Sequence, residues 1–362
     1  MEKRLHSEHS TIYQARKNDF LGYFGWPTVC RTEDGTLYVS ASGFRNNHIC
    51  PFGKSVLFSS RDDGITWSLP EVINDSKIDD RDAGVLALKG NKLLYSWFTS
   101  DTRYYKDKFF SGPLYQAIYD SWTDEDVQRE LGTFVRMRET DGRWNRKVFT
   151  GVTAPHGPIQ LKNGRLFYIG RRFGNFKNGR YRAESMRDLC CSPLRISVSN
   201  DEGKSWMSIG EILPPKGVKF CEPHAVELEN GNILAMIRTQ NDSIFELRQS
   251  ISCDGGKTWS NPRKIANGAP PHLLRHSSGI IICSYGYRSP GYGQRVMFSK
   301  DEGENWDIDW IIRDDGTDWD LGYPSSVEKK DGSVLTVYYQ ASEKDNPITG
   351  ILASAWFMPD LV

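Results

Sequence analysis

The octapeptide S-x-D-x-G-x-x-W occurs four times in this chain with every fixed position kept. The copies are Ser60–Asp62–Gly64–Trp67, Ser199–Asp201–Gly203–Trp206, Ser252–Asp254–Gly256–Trp259 and Ser299–Asp301–Gly303–Trp306. One match in 362 residues would say little, whereas four describe a repeat architecture. An Asp side chain can accept backbone N–H groups two residues on, and Gly takes φ > 0, so each copy reads as a tight β-turn. The Trp is expected to fold back as an apolar cover between strands. We therefore expect a structural role for Asp62, Asp201, Asp254 and Asp301, in turns between outer strands.

A second repeat lies between these turns. Six times a short lead-in, usually with Pro, precedes an apolar strand, a polar turn usually holding Gly, and a second strand. The lead-ins are Gly25–Pro27, Asp80–Gly84, Ala154–Pro158, Cys221–His224, Pro270–His272 and Gly322–Pro324. Alternating apolar residues around EDG, KNG, ENG and KDG are hairpin signals. Six units of about 60 residues have the length of four-stranded propeller blades with loops. The sixth unit ends at ILASAWF, one strand short, and Ser10–Gln14 can supply that strand. A closed ring removes the exposed edges that an open sheet must protect. The expected fold is all-β: residues 1–362 as one six-bladed β-propeller of four-stranded antiparallel blades, closed by an N-terminal strand. Long inserts at about 101–147 and 171–194 are expected to shape the mouth or a homo-oligomer contact. Within the first, SWTDEDVQREL reads as a short helix capped by Thr123.

Composition narrows the partners. Lys+Arg and Asp+Glu balance at 46 each, so no global field favours nucleic acid or an anionic membrane. No run of 18 apolar residues is present, and MEKRLHSEHSTIYQARKND has no apolar signal core, so a cytoplasmic location is expected. The seven cysteines are scattered without metal-ligand spacing, and neither a metal nor another cofactor is expected. Aromatic content of 12%, with 11 Trp, suits a β-rich fold and a sugar-binding cleft equally.

In a propeller the residues just before each innermost strand gather around the axis at one end. The lead-ins bring Trp26, Asp80, Arg81, Asp82, His156, Glu222, His224, His272, Asp320 and Tyr323 to that end. The second strands return there, adding Arg45, Arg171, Arg172, Arg238, Tyr287 and Arg288. Such polar residues also solvate a funnel and satisfy strand-end backbone, so position alone does not make each one functional.

The four Asp-turns and six hairpin units together resemble the sialidase (neuraminidase) superfamily, the Asp-box propellers, from about Phe24 to Phe357. The resemblance implies that Tyr323 in DLGYPSS is a nucleophile and Glu222 in CEPHAVEL its base. It implies that Arg238 in LAMIRTQ and Arg295 in GQRVMFSKDEG are the second and third substrate-binding arginines. A phenol is a weak nucleophile that a carboxylate in hydrogen-bond reach activates, and a phenol avoids the repulsion an anionic nucleophile would meet at a carboxylate sugar. Two positions depart from the family pattern. Gly25 stands where the first arginine is usual, and GFRNNHICPFGK, after the first hairpin, holds no general-acid Asp. Arg45, Lys54 or Arg81 is then expected to supply the cation, and His48 or Asp82 the acid, with Asp80 a further candidate. Trp26, His156, His224 and Asp320 complete the expected substrate-binding set. The implied activity is exo-glycoside hydrolysis of a terminal sialic-acid-type or other acidic sugar, with carbohydrate as partner. The alternatives are a uronate lyase using Tyr323 with His156 or His224 and Arg238, and a non-catalytic carbohydrate-binding propeller.

Overall fold

Alternation around the polar turns produces the six expected inner hairpins. They are Tyr23–Arg31 with Leu37–Arg45, Asp79–Leu88 with Lys92–Ser100, and Ile159–Gln160 with Leu166–Arg171. Phe220–Glu227 pairs with Ile233–Asn241, Pro271–Arg275 with Ile281–Tyr287, and Gly322–Glu328 with Val334–Glu343. The computed structural model describes residues 2–105, 112–172, 175–177, 180–182, 192–241, 244–343 and 346–361. Two further strands complete each unit as a four-stranded antiparallel blade, giving six blades. The inner strand Tyr23–Arg31 packs against both Asp79–Leu88 and Gly322–Glu328, so the first blade meets the last. Ser7–Tyr13 is the outer strand of blade six, paired antiparallel with Asn346–Trp356, and it closes the ring as expected.

The Asp-turns join the third and fourth strands of blades one, three, four and five. In each, the Ser hydroxyl donates to the Asp carboxylate at 2.7–2.9 Å and accepts the Gly N–H at 2.8–2.9 Å. The carboxylate then accepts the N–H four residues on, at 2.9 Å in all four copies, where two residues on was expected. The hydroxyls of Thr66, Ser205 and Thr258, together with those bonds, hold Asp62, Asp201 and Asp254 down at a pKa of about 2. Gly is required twice over. Its φ is +84° to +95° in the four turns, and a Cβ on Gly256 would meet the Phe167 ring of the preceding blade at 2.5 Å.

Each Asp-turn Trp covers the seam with the preceding blade. Trp206 of blade three, for example, packs on Leu88, Leu94, Val135, Met137 and Leu166 while its indole N–H donates to Gly203 at 3.2 Å. Trp206→Ala is therefore expected to cost about 2 kcal/mol, less than a fully buried Trp because the indole is only partly covered. Chemical denaturation should show this loss while turnover per folded molecule is unchanged.

The stretch 101–147 contains the third strand of blade two, Thr133–Arg138, so the insertion proper ends near residue 132. It carries two helices, Pro113–Asp120 and Asp124–Glu130. The second starts at Thr123, whose hydroxyl and Asp126 form a reciprocal capping box. Tyr119, Trp122, Val127 and Leu131 pack with Ile78 and Phe98 into a small core that braces the mouth of the ring. Most of 171–194, with Cys190 and Cys191, lies outside the described residues.

Candidate active site

The inner strands of blades one, two, four and six open on register shifts, between Gly25 and Thr28, Arg81 and Gly84, Phe220 and Pro223, and Gly322 and Ser325. A bulge lifts a residue out of the pleat and re-aims its side chain. Three of these lifted residues hold left-handed backbone without being glycine: Trp26 at φ +56°, Asp82 at +47° and Tyr323 at +50°. Each such conformation costs on the order of 1–3 kcal/mol and persists only where the surroundings impose it. Three of the six lead-ins thus carry strained backbone at the axial end.

They open on a cavity of about 210 Å³ walled by residues from all six blades. That volume is below the range of roughly 300–1,000 Å³ of drug-sized ligand sites, and suits one small ring. At its centre the Tyr323 hydroxyl donates to Glu222 Oε1 at 3.1 Å. Arg238 Nη1 binds Glu222 Oε2 at 2.6 Å and reaches the Tyr323 oxygen at 3.3 Å. Burial raises the Glu222 carboxyl, but Arg238, Arg171 and Arg288 more than offset it, so its pKa is lowered and it is ionised. Burial, and then the Glu222 charge, push the Tyr323 phenol upward. A neutral phenol therefore faces a carboxylate that can take its proton as attack proceeds.

Asp82 lies across the cavity with Oδ1 buried and no hydrogen-bond partner there among the described residues. Burial raises its pKa to about 6, with Arg81 opposing and Glu222 adding. It is thus protonated in part near neutrality, which a general acid needs. His48 Nδ1 is 2.9 Å from Asp320 Oδ1, and Asp320 also accepts the Tyr339 hydroxyl at 2.8 Å and the Tyr23 hydroxyl at 2.9 Å. Burial lowers His48 more than Asp320 raises it, so the ring is neutral. Asp320, lowered to about 2 by His48 and Tyr339 despite its burial, only accepts, which fixes the His48 proton on Nδ1 and leaves Nε2 an acceptor.

Of the residues expected at the site, Tyr323, Glu222, Asp82, His48, Arg81 and Arg238 line this one cavity. Trp26 is fully buried beneath it, edge-on to His48 at 5.0 Å and under the Arg81 guanidinium at 4.6 Å, so it is a platform and not a contact. Asp320 stands behind His48. Arg45 is fully buried in a bidentate pair with Asp79 at 2.6 and 3.0 Å, and its charge is spent inside the fold. Asp80 is likewise tied to Ser76 and Asn74, its pKa raised to about 7 by burial. Lys54 turns outward to Asp75. Arg295 lines a separate hollow, because its strand is the third of blade five and its side chain leaves on the far flank. His156, His224 and His272 cluster below the cavity, with ring centres 4.4–5.8 Å apart. Backbone N–H groups of Leu273 and Ser326 bond Nδ1 of His224 and His272, and burial lowers all three pKa values. Among the described residues no group of three or more His, Cys, Asp or Glu is placed to hold a metal ion.

The cavity also uses Arg171 and Arg288, which sequence placed at strand exits without singling out, and Gln240, Phe245 and Trp319. Arg288 lies over the Tyr323 ring at 5.3 Å and anchors itself on Leu321 O at 2.8 and 3.0 Å. Four arginines against two carboxylates, one of them partly protonated, leave the cavity electropositive.

Residues 145–336, just over half of the chain, match the BNR repeat-like domain family. A search of curated protein sequences returned no match. Among solved structures the chain is similar to a protein of unknown function from Dyadobacter fermentans, at 22% identity over 98% of this chain and 99% of that one, with a TM-score of 0.77. It is similar to the NanB sialidase of Streptococcus pneumoniae at 14% identity, covering 98% of this chain and 71% of that one, with a TM-score of 0.66. It also resembles an α-L-arabinanase of Penicillium chrysogenum solved with arabinobiose, at 13% identity over 98% and 99% of the two chains, with a TM-score of 0.63. At such identities these likenesses speak for the fold. The family match over more than half of the chain shows that it belongs to the BNR repeat-like domain family.

Proposed function

We propose that this protein is an exo-acting glycoside hydrolase that removes a terminal sialic-acid-type or other acidic sugar, with Tyr323 as nucleophile. The observation that carries this reading is the 3.1 Å bond from the Tyr323 phenol to an ionised Glu222, inside an arginine-lined cavity the size of one sugar ring. Tyr323 oxygen attacks the anomeric carbon while Glu222 takes its proton. Asp82 protonates the departing glycosidic oxygen, so the aglycone leaves neutral. The resulting glycosyl-tyrosine is then opened by water, which Asp82, now a carboxylate, deprotonates as Tyr323 leaves and recovers its proton from Glu222. Arg81, Arg171 and Arg288 receive the sugar's carboxylate in place of the arginine that Gly25 lacks.

A second reading rests on His48. A neutral imidazole oriented by Asp320, with Nε2 left to accept, is a base suited to removing the proton α to a uronate carboxylate. His156 and His224 do not serve here, since both are buried below the cavity. Aryl glycosides of sialic acid, Kdo-type acids, uronic acids and rhamnose separate these outcomes. The hydrolase reading expects aryl alcohol released from an acidic glycoside without a new ultraviolet-absorbing unsaturated product. Release from rhamnoside alone would overturn the acidic-sugar assignment, and an unsaturated product would transfer the site to the lyase reading.

A further inference from the structure

A hollow of about 650 Å³ lies on the flank of blade five, against the outer strand Arg263–Asn267 of blade four. Arg295 is in its wall, only 8% exposed. Among the described residues its Nη1 is buried with no hydrogen-bond partner, and Nη2 makes one long bond, 3.4 Å to Gly291 O. No carboxylate pairs with it among the described residues, unlike Arg45 and Arg238. Glu2, in the same wall, faces Arg4 at 3.8 Å, and the Arg295 charge is felt by Asp314 without contact. Asp309 accepts the Tyr285 hydroxyl at 2.9 Å, Asp314 is held by Arg4, Lys3 by Asp307, and Lys264 by Glu246 at 2.9 Å. A buried guanidinium with no carboxylate at contact distance is costly in a folded protein unless something arrives to pair with it.

The wall beside it is built for more than a bare anion. Arg295 stacks on Tyr287 at 4.7 Å, and Ile308 supplies an apolar surface. Asp309 there holds left-handed backbone at φ +66°. Tyr287 is followed in the chain by Arg288, which lines the catalytic cavity, so one strand end feeds both sites. We propose that this hollow is a second, non-catalytic subsite that binds the carboxylate of an acidic sugar through Arg295, with the sugar's C–H face on Tyr287. The ligand class rests on the function proposed above; the presence of an anion site rests on Arg295 alone.

The test is calorimetric titration of the whole protein with N-acetylneuraminate and with glucuronate, using glucose as the uncharged control. Wild type should show two saturable acid-sugar sites and none for glucose. Arg295→Met should weaken one of them by about 10- to 100-fold, the loss of a charge-assisted bond pair. Arg81→Met, in the catalytic cavity on blade two, should weaken the other and leave this one. Arg295→Lys keeps the charge without the fork, so partial weakening is expected if the Met variant does not fold. Melting temperature should hold or rise in Arg295→Met, since an unpaired buried charge is removed. Unchanged isotherms in both Arg295 variants would overturn the subsite, and sulfate competing as well as acetate would overturn its carboxylate preference. Loss of binding in Arg295→Met without turnover of any acidic sugar would sink the hydrolase reading and leave the subsite standing.

Discussion

Tyr323→Phe is expected to lower kcat by roughly 10³- to 10⁶-fold, the range seen when a covalent nucleophile is deleted. The change removes one oxygen from a side chain that is 5% exposed. It leaves the ring contacts with Trp26 and Tyr339 in place. Glu222 keeps its 2.6 Å bond to Arg238, so the buried carboxylate is not orphaned and stability should move by no more than about 1 kcal/mol. Steady-state kinetics with a reactive aryl glycoside, paired with a melting curve, read both quantities. A folded Phe variant with near-normal turnover would eliminate Tyr323 as nucleophile.

Asp82→Asn carries the second large effect. With a pKa raised to about 6 by burial, the acid form is lost as pH rises through that value. A reaction that needs the proton on Asp82 therefore has kcat/KM falling above about pH 6. Replacement by Asn should abolish that limb and cut the rate by about 10²- to 10⁴-fold on substrates with poor leaving groups. The loss should shrink for aryl glycosides whose phenol leaves without protonation. A limb that survives the substitution would move the acid role to another group, with His48 next in line. His48, however, is held neutral with its proton directed at Asp320, which is the wrong state for a donor.

The propeller was legible because its signals are local. The Ser, Asp and Gly of each turn bond one another within five residues, and alternation within a hairpin needs only the hairpin. Thr123 and Asp126 capped their helix for the same reason. The site was legible only in part, because its members come from six blades and side-chain direction depends on packing. Glu222, Arg238, Asp82 and Tyr323 could be placed at the right end by counting strands. Counting could not show that Arg45 would be consumed by Asp79, a residue one position outside the second lead-in. Nor could it show that Arg295, on a third strand, would face the flank while Arg288, at a second-strand exit, would face the cavity. The bulges explain some of this: one extra residue in the bulges that hold Tyr323 and Asp82 changes which side chain points to the axis, and no propensity marks that slip.

A covalent glycosyl-tyrosine at the axis of this propeller is a species that can be trapped. The protein is incubated with an acidic glycosyl fluoride bearing a second fluorine beside the anomeric centre, which slows breakdown of the intermediate. Intact mass and peptide mapping are then read. One added sugar per chain is expected on the peptide containing Tyr323, absent in Tyr323→Phe and slow to form in Glu222→Gln. Turnover of the same acidic glycoside with no adduct, or an adduct on another residue, would contradict it.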